Sequence, residues 1–182
     1  FVLLGTYVFS QIYTVGSPTN ATSFPGLASI NTLFEDSRVQ YIYSASELQA
    51  AGVPSGLPIE SIHILIYEIP GAAMENFTIS FKNTATNSYN GLPIYDNELT
   101  TVYNTASLDP SSFSRDEWRE FDLQTPFVWD GTSNLLIQLC YDNPNGAPFA
   151  DNGGVYIYED ADNLNRSAYR YADLSSGCSL TG

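Results

Sequence analysis

Residues 76–82 read NFTISFK, and residues 133–143 read SNLLIQLCYDN. In the first, Phe77, Ile79 and Phe81 alternate with Asn76, Thr78, Ser80 and Lys82. A period of two is what a strand shows when one of its faces is buried. In the second, Leu135, Ile137, Leu139 and Tyr141 share one face, and Leu136, Gln138 and Cys140 the other. Both faces of that strand are therefore expected to be covered. ESIHILIYEI (60–69) repeats the pattern, with Ile62, Ile64 and Ile66 opposed to His63, Leu65 and Tyr67. REFDLQT (119–125) turns Phe121 and Leu123 inward and leaves Glu120 and Asp122 to water. GGVYIYED (153–160) and SAYRYAD (167–173) add two short strands.

Turn formers punctuate these runs at Gly52 to Gly56, Ile69-Pro70-Gly71, Asp109-Pro110, Asp130-Gly131 and Asn143-Pro144-Asn145-Gly146. The fold class that follows is all-β, an antiparallel β-sandwich of jelly-roll or immunoglobulin-like type. One segment departs from it. SASELQAAGV (44–53) offers Ser44 or Ser46 as a helix N-cap, helix formers from Glu47 to Ala51, and Gly52 as a stop. A short helical turn is expected near residues 45–51.

The chain has 182 residues, 43% of them apolar, enough for one domain with a real core. Six basic residues against twenty acidic ones give a net charge of −14, which repels nucleic acid and anionic membranes. Self-repulsion of this size suits a soluble extracellular protein. The opening run FVLLGTYVFSQIYTVG (1–16) is the most apolar stretch. It is broken by Gly5, Thr6, Ser10 and Gln11, so it falls short of the ~20 apolar residues of a membrane helix. It also lacks the basic flank of a signal peptide. It reads as a strand covered on both faces. The expected organisation is an apolar N-terminal strand over 1–16, a candidate for donation to a neighbouring subunit, and a single sandwich over 17–182. Phe1, Leu3, Tyr7 and Phe9 are the side chains that would fill a neighbour's pockets.

Chemistry-bearing patterns are few. The only histidine, His63, sits among isoleucines in a strand pattern and reads as structural. No nucleophile elbow, P-loop, GxGxxG or HExxH occurs, so no enzyme activity is expected. Asp142 and Asn145, with Asp151 shortly after, are candidate oxygen donors to calcium, the one cofactor that the composition suggests. Solvated acidic turns are the alternative reading. Sequons at Asn20, Asn76 and Asn165 are candidate glycosylation sites. Tyr156, Tyr158, Tyr169 and Tyr171 could form a sugar-stacking ladder on paired strands, or simply cover sheet edges. Cys140 and Cys178 form one disulfide if the chain is secreted, with two buried thiols as the alternative.

Four stretches together carry a family resemblance: residues 41–68 (YIYSASELQAAGVPSGLPIESIHILIYE), 99–104 (LTTVYN), 125–143 (TPFVWDGTSNLLIQLCYDN) and 167–179 (SAYRYADLSSGCS). They resemble a domain of large secreted cell-surface proteins of Bacteroidetes, many exported by the type IX route. The WDGTSN segment, Trp129 to Asn134, is the most specific part. Arg115 to Trp118 departs from the family's glycine-tryptophan pattern, and Gln138 stands where an acidic residue is common. The resemblance implies a β-sandwich module outside the cell, with Cys140 and Cys178 as its cysteine pair and a structural or adhesive role. It carries over no catalytic residue. The expectation is a non-catalytic module of a surface filament or adhesin, assembled by strand addition with copies of itself or with other surface proteins. A carbohydrate-binding module is the alternative.

Overall fold

The computed structural model describes residues 11–16, 20–22, 28–89, 95–146, 153–157 and 165–181, with only the backbone of Asn20, Thr22, Gly154, Tyr156 and Ile157. Among the described residues nine strands run in the order β1 (Asn20–Thr22), β2 (Asp36–Tyr43), β3 (Pro58–Glu68), β4 (Met74–Thr84), β5 (Thr100–Leu108), β6 (Trp118–Val128), β7 (Asn134–Asp142), β8 (Gly154–Ile157) and β9 (Ser167–Ala172). They make two antiparallel sheets, β1-β8-β3-β6 and β5-β4-β7-β2-β9. The pairings are nested: β1 with β8, β2 with β7, β3 with β6, and β4 with β5. That is a long hairpin rolled on itself, a jelly roll, with β9 added beside β2. The alternation of sheets along the chain decides between the two sandwich types expected from sequence.

The period-two runs face the core as read. Phe77, Ile79 and Phe81 of β4 are fully buried, and Phe121 of β6 meets them from the other sheet. The Phe77 and Phe121 rings stack at 5.8 Å, and Phe81 meets Phe127 edge-on at 5.4 Å. Each buried aromatic contributes roughly 1.5–3 kcal/mol through area removed from water. At one side the sheets are joined by a side-chain bridge. Gln124 of β6 donates from Nε2 to the Asn104 carbonyl at 2.7 Å, and its Oε1 accepts the Asn104 N–H at 3.0 Å. An amide side chain thus stands in for a strand backbone between β5 and β6.

The helical turn is α1 (Ala45–Ala50), capped by Ser44. Ser44 Oγ accepts from the Glu47 N–H at 3.2 Å, and Glu47 Oε2 accepts from the Ser44 N–H at 2.8 Å. This reciprocal box satisfies two donors that a helix start would otherwise leave open. Arg166 ion-pairs with the same Glu47 oxygen. Leu48 drives the turn into the core, and Gly52 ends it at φ +82°.

Residues 11–16 differ from the strand expected over 1–16. They carry no strand pairing and lie on their own domain, with Val15 packed against the core. Tyr13 lies beside Gly52, 3.6 Å from where a Cβ would stand there. Phe1, Leu3, Tyr7 and Phe9 fall outside the described residues.

Both faces of β2 and β7 are buried. The second face is polar: Arg38, Gln40 and Gln138 lie beneath residues 95–97 and the C-terminal chain. Arg38 donates to Gln138 Oε1, the Leu180 carbonyl, the Asp96 carbonyl and Asn97 Oδ1 at 2.8–3.1 Å. Its guanidinium lies 4.5 Å from the Tyr95 ring centroid. Gln40 accepts from the Tyr89 hydroxyl at 2.9 Å and donates to the Asp96 carbonyl at 2.8 Å. Buried polar groups held this completely fix the covering loop in one place.

Candidate functional site

At one end of the five-stranded sheet β2 begins and β7 ends, with Asp36 directly opposite Asp142. The chain leaving β9 crosses this end as a strap, Asp173 to Leu180. Three of its backbone N–H groups donate to carboxylates. Leu174 reaches Glu35 Oε2 at 2.7 Å, Ser175 reaches Asp36 Oδ2 at 3.2 Å, and Gly177 reaches Asp142 Oδ1 at 3.0 Å. Glu35 Oε1 also accepts the Gly146 N–H at 2.7 Å, and Asp173 Oδ1 accepts the Glu35 N–H at 3.1 Å. Charge-assisted bonds of this kind are roughly twice as strong as neutral ones.

The strap is then locked covalently. Cys140 and Cys178 form a disulfide with their Cα atoms 5.2 Å apart. Thr78 Oγ1 lies 2.8 Å from the Cys140 sulfur. Gly177 fits only without a side chain, since a Cβ there would stand 1.7 Å from the Tyr141 carbonyl oxygen.

Asp36 is the unusual member of the group. Its residue is 0% exposed, and its Oδ1 has no hydrogen-bond partner. Burial pushes its carboxyl up to about 6, and the neighbouring Asp142 and Glu35 add to that against the opposing Ser175 N–H bond. Tyr141, its hydroxyl within hydrogen-bond reach of the Asn31 and Phe34 carbonyls at 2.6 and 2.9 Å, is raised well above the usual phenol range by burial, with Asp36 adding to the shift.

The Asp142 carboxylate faces Asp36 and holds the strap, whereas Asn145 is exposed in a turn and Asp151 lies outside the described residues. Among the described residues no three His, Cys, Asp or Glu side chains are arranged to hold a metal, and no metal centre is assigned to these positions.

Of the sequon asparagines, Asn20 lies in β1. Asn76 is exposed with a left-handed backbone (φ 51°), and its Nδ2 donates to the Asp142 carbonyl at 3.1 Å. Asn165 is exposed with φ 48° and accepts the Tyr89 N–H at 2.7 Å through its carbonyl.

The tyrosine ladder on paired strands is not formed. β8, which carries Tyr156, pairs with β1 and β3, whereas β9, which carries Tyr169 and Tyr171, pairs with β2 in the other sheet. β8 and β9 follow one another in the chain but lie in opposite sheets, so closeness in sequence does not make them neighbours. Tyr158 is outside the described residues. What exists is a shorter stack. The Tyr169 and Tyr171 rings lie parallel at 6.2 Å, and Phe34 stacks on Tyr171 at 4.1 Å.

The WDGTSN segment is a folding device. Trp129 is buried, and its Nε1 donates to the Ser133 carbonyl at 2.7 Å. Asp130 Oδ1 accepts the N–H groups of Thr132 and Ser133 at 2.8 and 2.7 Å, while Gly131 takes φ +84°. His63 sits within 3.4 Å of Ser61 Oγ and Glu120 Oε1, half-buried on β3.

Sequence reasoning missed Glu35 and Asp36 as anchors of the strap beside Asp142, and Asp173 as the acceptor of the Glu35 N–H. The only signal was that Asp142 and Asp173 end strand patterns, which is ordinary in so acidic a chain, and no strand is predicted beside Glu35 and Asp36. No protein-family model, curated protein or solved structure matches the chain.

Proposed function

We propose that this chain is a non-catalytic structural or adhesive module of a cell-surface filament or large adhesin, working outside the cell and joined to its neighbours by strand addition. The observation that carries the reading is the C-terminal strap, held by a disulfide across a sandwich of net charge −14. A structural disulfide persists in oxidising surroundings and is compatible with an extracellular site. Among the described residues no helix is long and apolar enough to cross a membrane. The resemblance of Trp129 to Asn134 to the type IX-associated surface modules points the same way. For strand addition the support is the apolar pattern of Phe1, Leu3, Tyr7 and Phe9, which suits the alternating pockets of an incomplete sheet.

Size-exclusion chromatography and electron microscopy of the whole chain and of a chain lacking residues 1–9 test it. The whole chain is expected to form concentration-dependent polymers and the shortened one stable monomers. A shortened chain that still polymerises would refute strand addition. The parallel Tyr169 and Tyr171 rings favour a second reading, carbohydrate binding, because sugars stack on exposed aromatic faces. Glycan-array binding lost in Tyr169→Ala would support that reading, and an array with no binding at all would end it.

A further inference from the structure

We propose that Asn145 is a site of spontaneous modification: its side chain cyclises onto Gly146 with loss of ammonia and opens to isoaspartate, a one-way change beside an anchor of the strap. The step needs an asparagine amide that can turn back along the chain, a following residue with a backbone N–H, and room for that residue to swing. The turn after β7 supplies all three. Asn145 is exposed, and its side-chain amide makes no hydrogen bond among the described residues. Gly146 is exposed at φ +82°, and a Cβ built on it would meet nothing within 4 Å. Its N–H donates to Glu35 Oε1 at 2.7 Å. That bond lies in the peptide plane, whereas the nitrogen attacks from the face of the plane, so the carboxylate is in place to take the proton.

Gly146 N bonds to Asn145 Cγ and closes a succinimide; the Cγ–Nδ2 bond breaks, and ammonia leaves with the proton that Gly146 gave up. Water then opens the ring, at the Asn145 main-chain carbonyl to leave isoaspartate or at Cγ to leave aspartate. Either product adds a negative charge. Isoaspartate also adds one atom to the main chain, which moves the Gly146 N–H off Glu35, whose other oxygen holds Leu174 of the strap at 2.7 Å. Other asparagines lack one requirement or another. Asn143 is buried, its Oδ1 accepts the Glu75 N–H at 2.7 Å, its Nδ2 donates to the Ala73 carbonyl at 3.2 Å, and Pro144 after it has no N–H. A second Asn-Gly pair occurs at 152–153. Asn152 lies outside the described residues, but Gly153 is buried and its carbonyl accepts from Asn31 Nδ2 at 2.8 Å. A Cβ on Gly153 would stand 2.5 Å from the Ile30 carbonyl oxygen and 3.1 Å from Pro70 Cα. The same dipeptide is open in one place and wedged in the other.

The disulfide-bonded whole chain, aged in mildly alkaline buffer either folded or unfolded in guanidinium, tests this by peptide mapping with isoaspartyl methyltransferase labelling. Unfolded, Asn145 and Asn152 are expected to convert at similar rates, since glycine follows both. Folded, Asn145 should stay within about tenfold of its unfolded rate, and Asn152 should slow by roughly a hundredfold, the cost of a misplaced attacking group. Asn145→Gln, whose longer side chain closes a less favourable ring, should lose the label in this turn alone. Folding that slows Asn145 as much as Asn152 would overturn the proposal. So would a folded Asn152 that converts as fast as Asn145, or a label in the turn that survives Asn145→Gln.

Discussion

Removing the disulfide is the perturbation whose size the structure defines best. Cys140 and Cys178 are separated by 38 residues, and the loop that they close includes β8 and β9. In the chain-entropy account, cross-linking a loop of that length stabilises the fold by about 4 kcal/mol, because the unfolded chain loses freedom that the folded one never had. The folded side should change little. The strap keeps its three carboxylate bonds through Leu174, Ser175 and Gly177, and the close contact of Gly177 with Tyr141 remains. Cys140→Ala with Cys178→Ala should therefore keep the same fold and lose about 4 kcal/mol. Trp129, buried at a sandwich end, gives a fluorescence signal for urea unfolding. With a slope of about 2 kcal/mol per molar urea, the midpoint should drop by about 2 M. A loss below about 1 kcal/mol at an unchanged slope would refute the reasoning. It would mean that the unfolded chain already holds the two segments together.

Two further perturbations test the WDGTSN turn. Trp129→Ala removes a fully buried ring and its bond to Ser133, and should destabilise the protein by about 3–5 kcal/mol in the same urea assay. Asp130 is held down to about 2, chiefly by the hydroxyl and N–H of Ser133 and then by the N–H of Thr132. Its contribution is therefore present above the ordinary carboxyl value of 3.8 and is lost as pH falls from about 4 toward 2. Asp130→Asn should make the acid limb of a thermal-stability profile shallower, and an unchanged limb would count against this role.

The strands that announce themselves in sequence carry apolar residues at every second position, whether one face meets water, as in β6, or both are covered, as in β7. β4 and β6 alternate cleanly, and Ser44 or Ser46 before the helix formers from Glu47 marks a helix start, which the structure assigns to Ser44. β2 does not announce itself. Its outer face carries Asp36, Arg38 and Gln40, which look like a solvated edge until residues 95–97 and the strap bury them. β5 is thin in apolar residues, with most of its side chains at least partly exposed, and shows little of the period that a buried face imposes. The acid pair was unreadable for a different reason: Asp36 and Asp142 meet only because β2 pairs with β7, and local spacing carries no trace of that. The tyrosines went astray on topology, since β8 and β9 follow one another in the chain but belong to different sheets.

The nested pairing of the strands also sets an order in time. β4 and β5 are the innermost pair of the roll, and each pair outward closes a longer stretch of chain, ending with Asn20 against Ile157. Loop closure becomes entropically harder with length, so assembly is expected to zip outward from β4–β5, with β1 docking onto β8 last. A topology so rich in distant contacts folds on the millisecond-to-second scale rather than in microseconds. During that interval the outer strands are expected to stand unpaired, and a net charge of −14 opposes the association of such half-zipped chains.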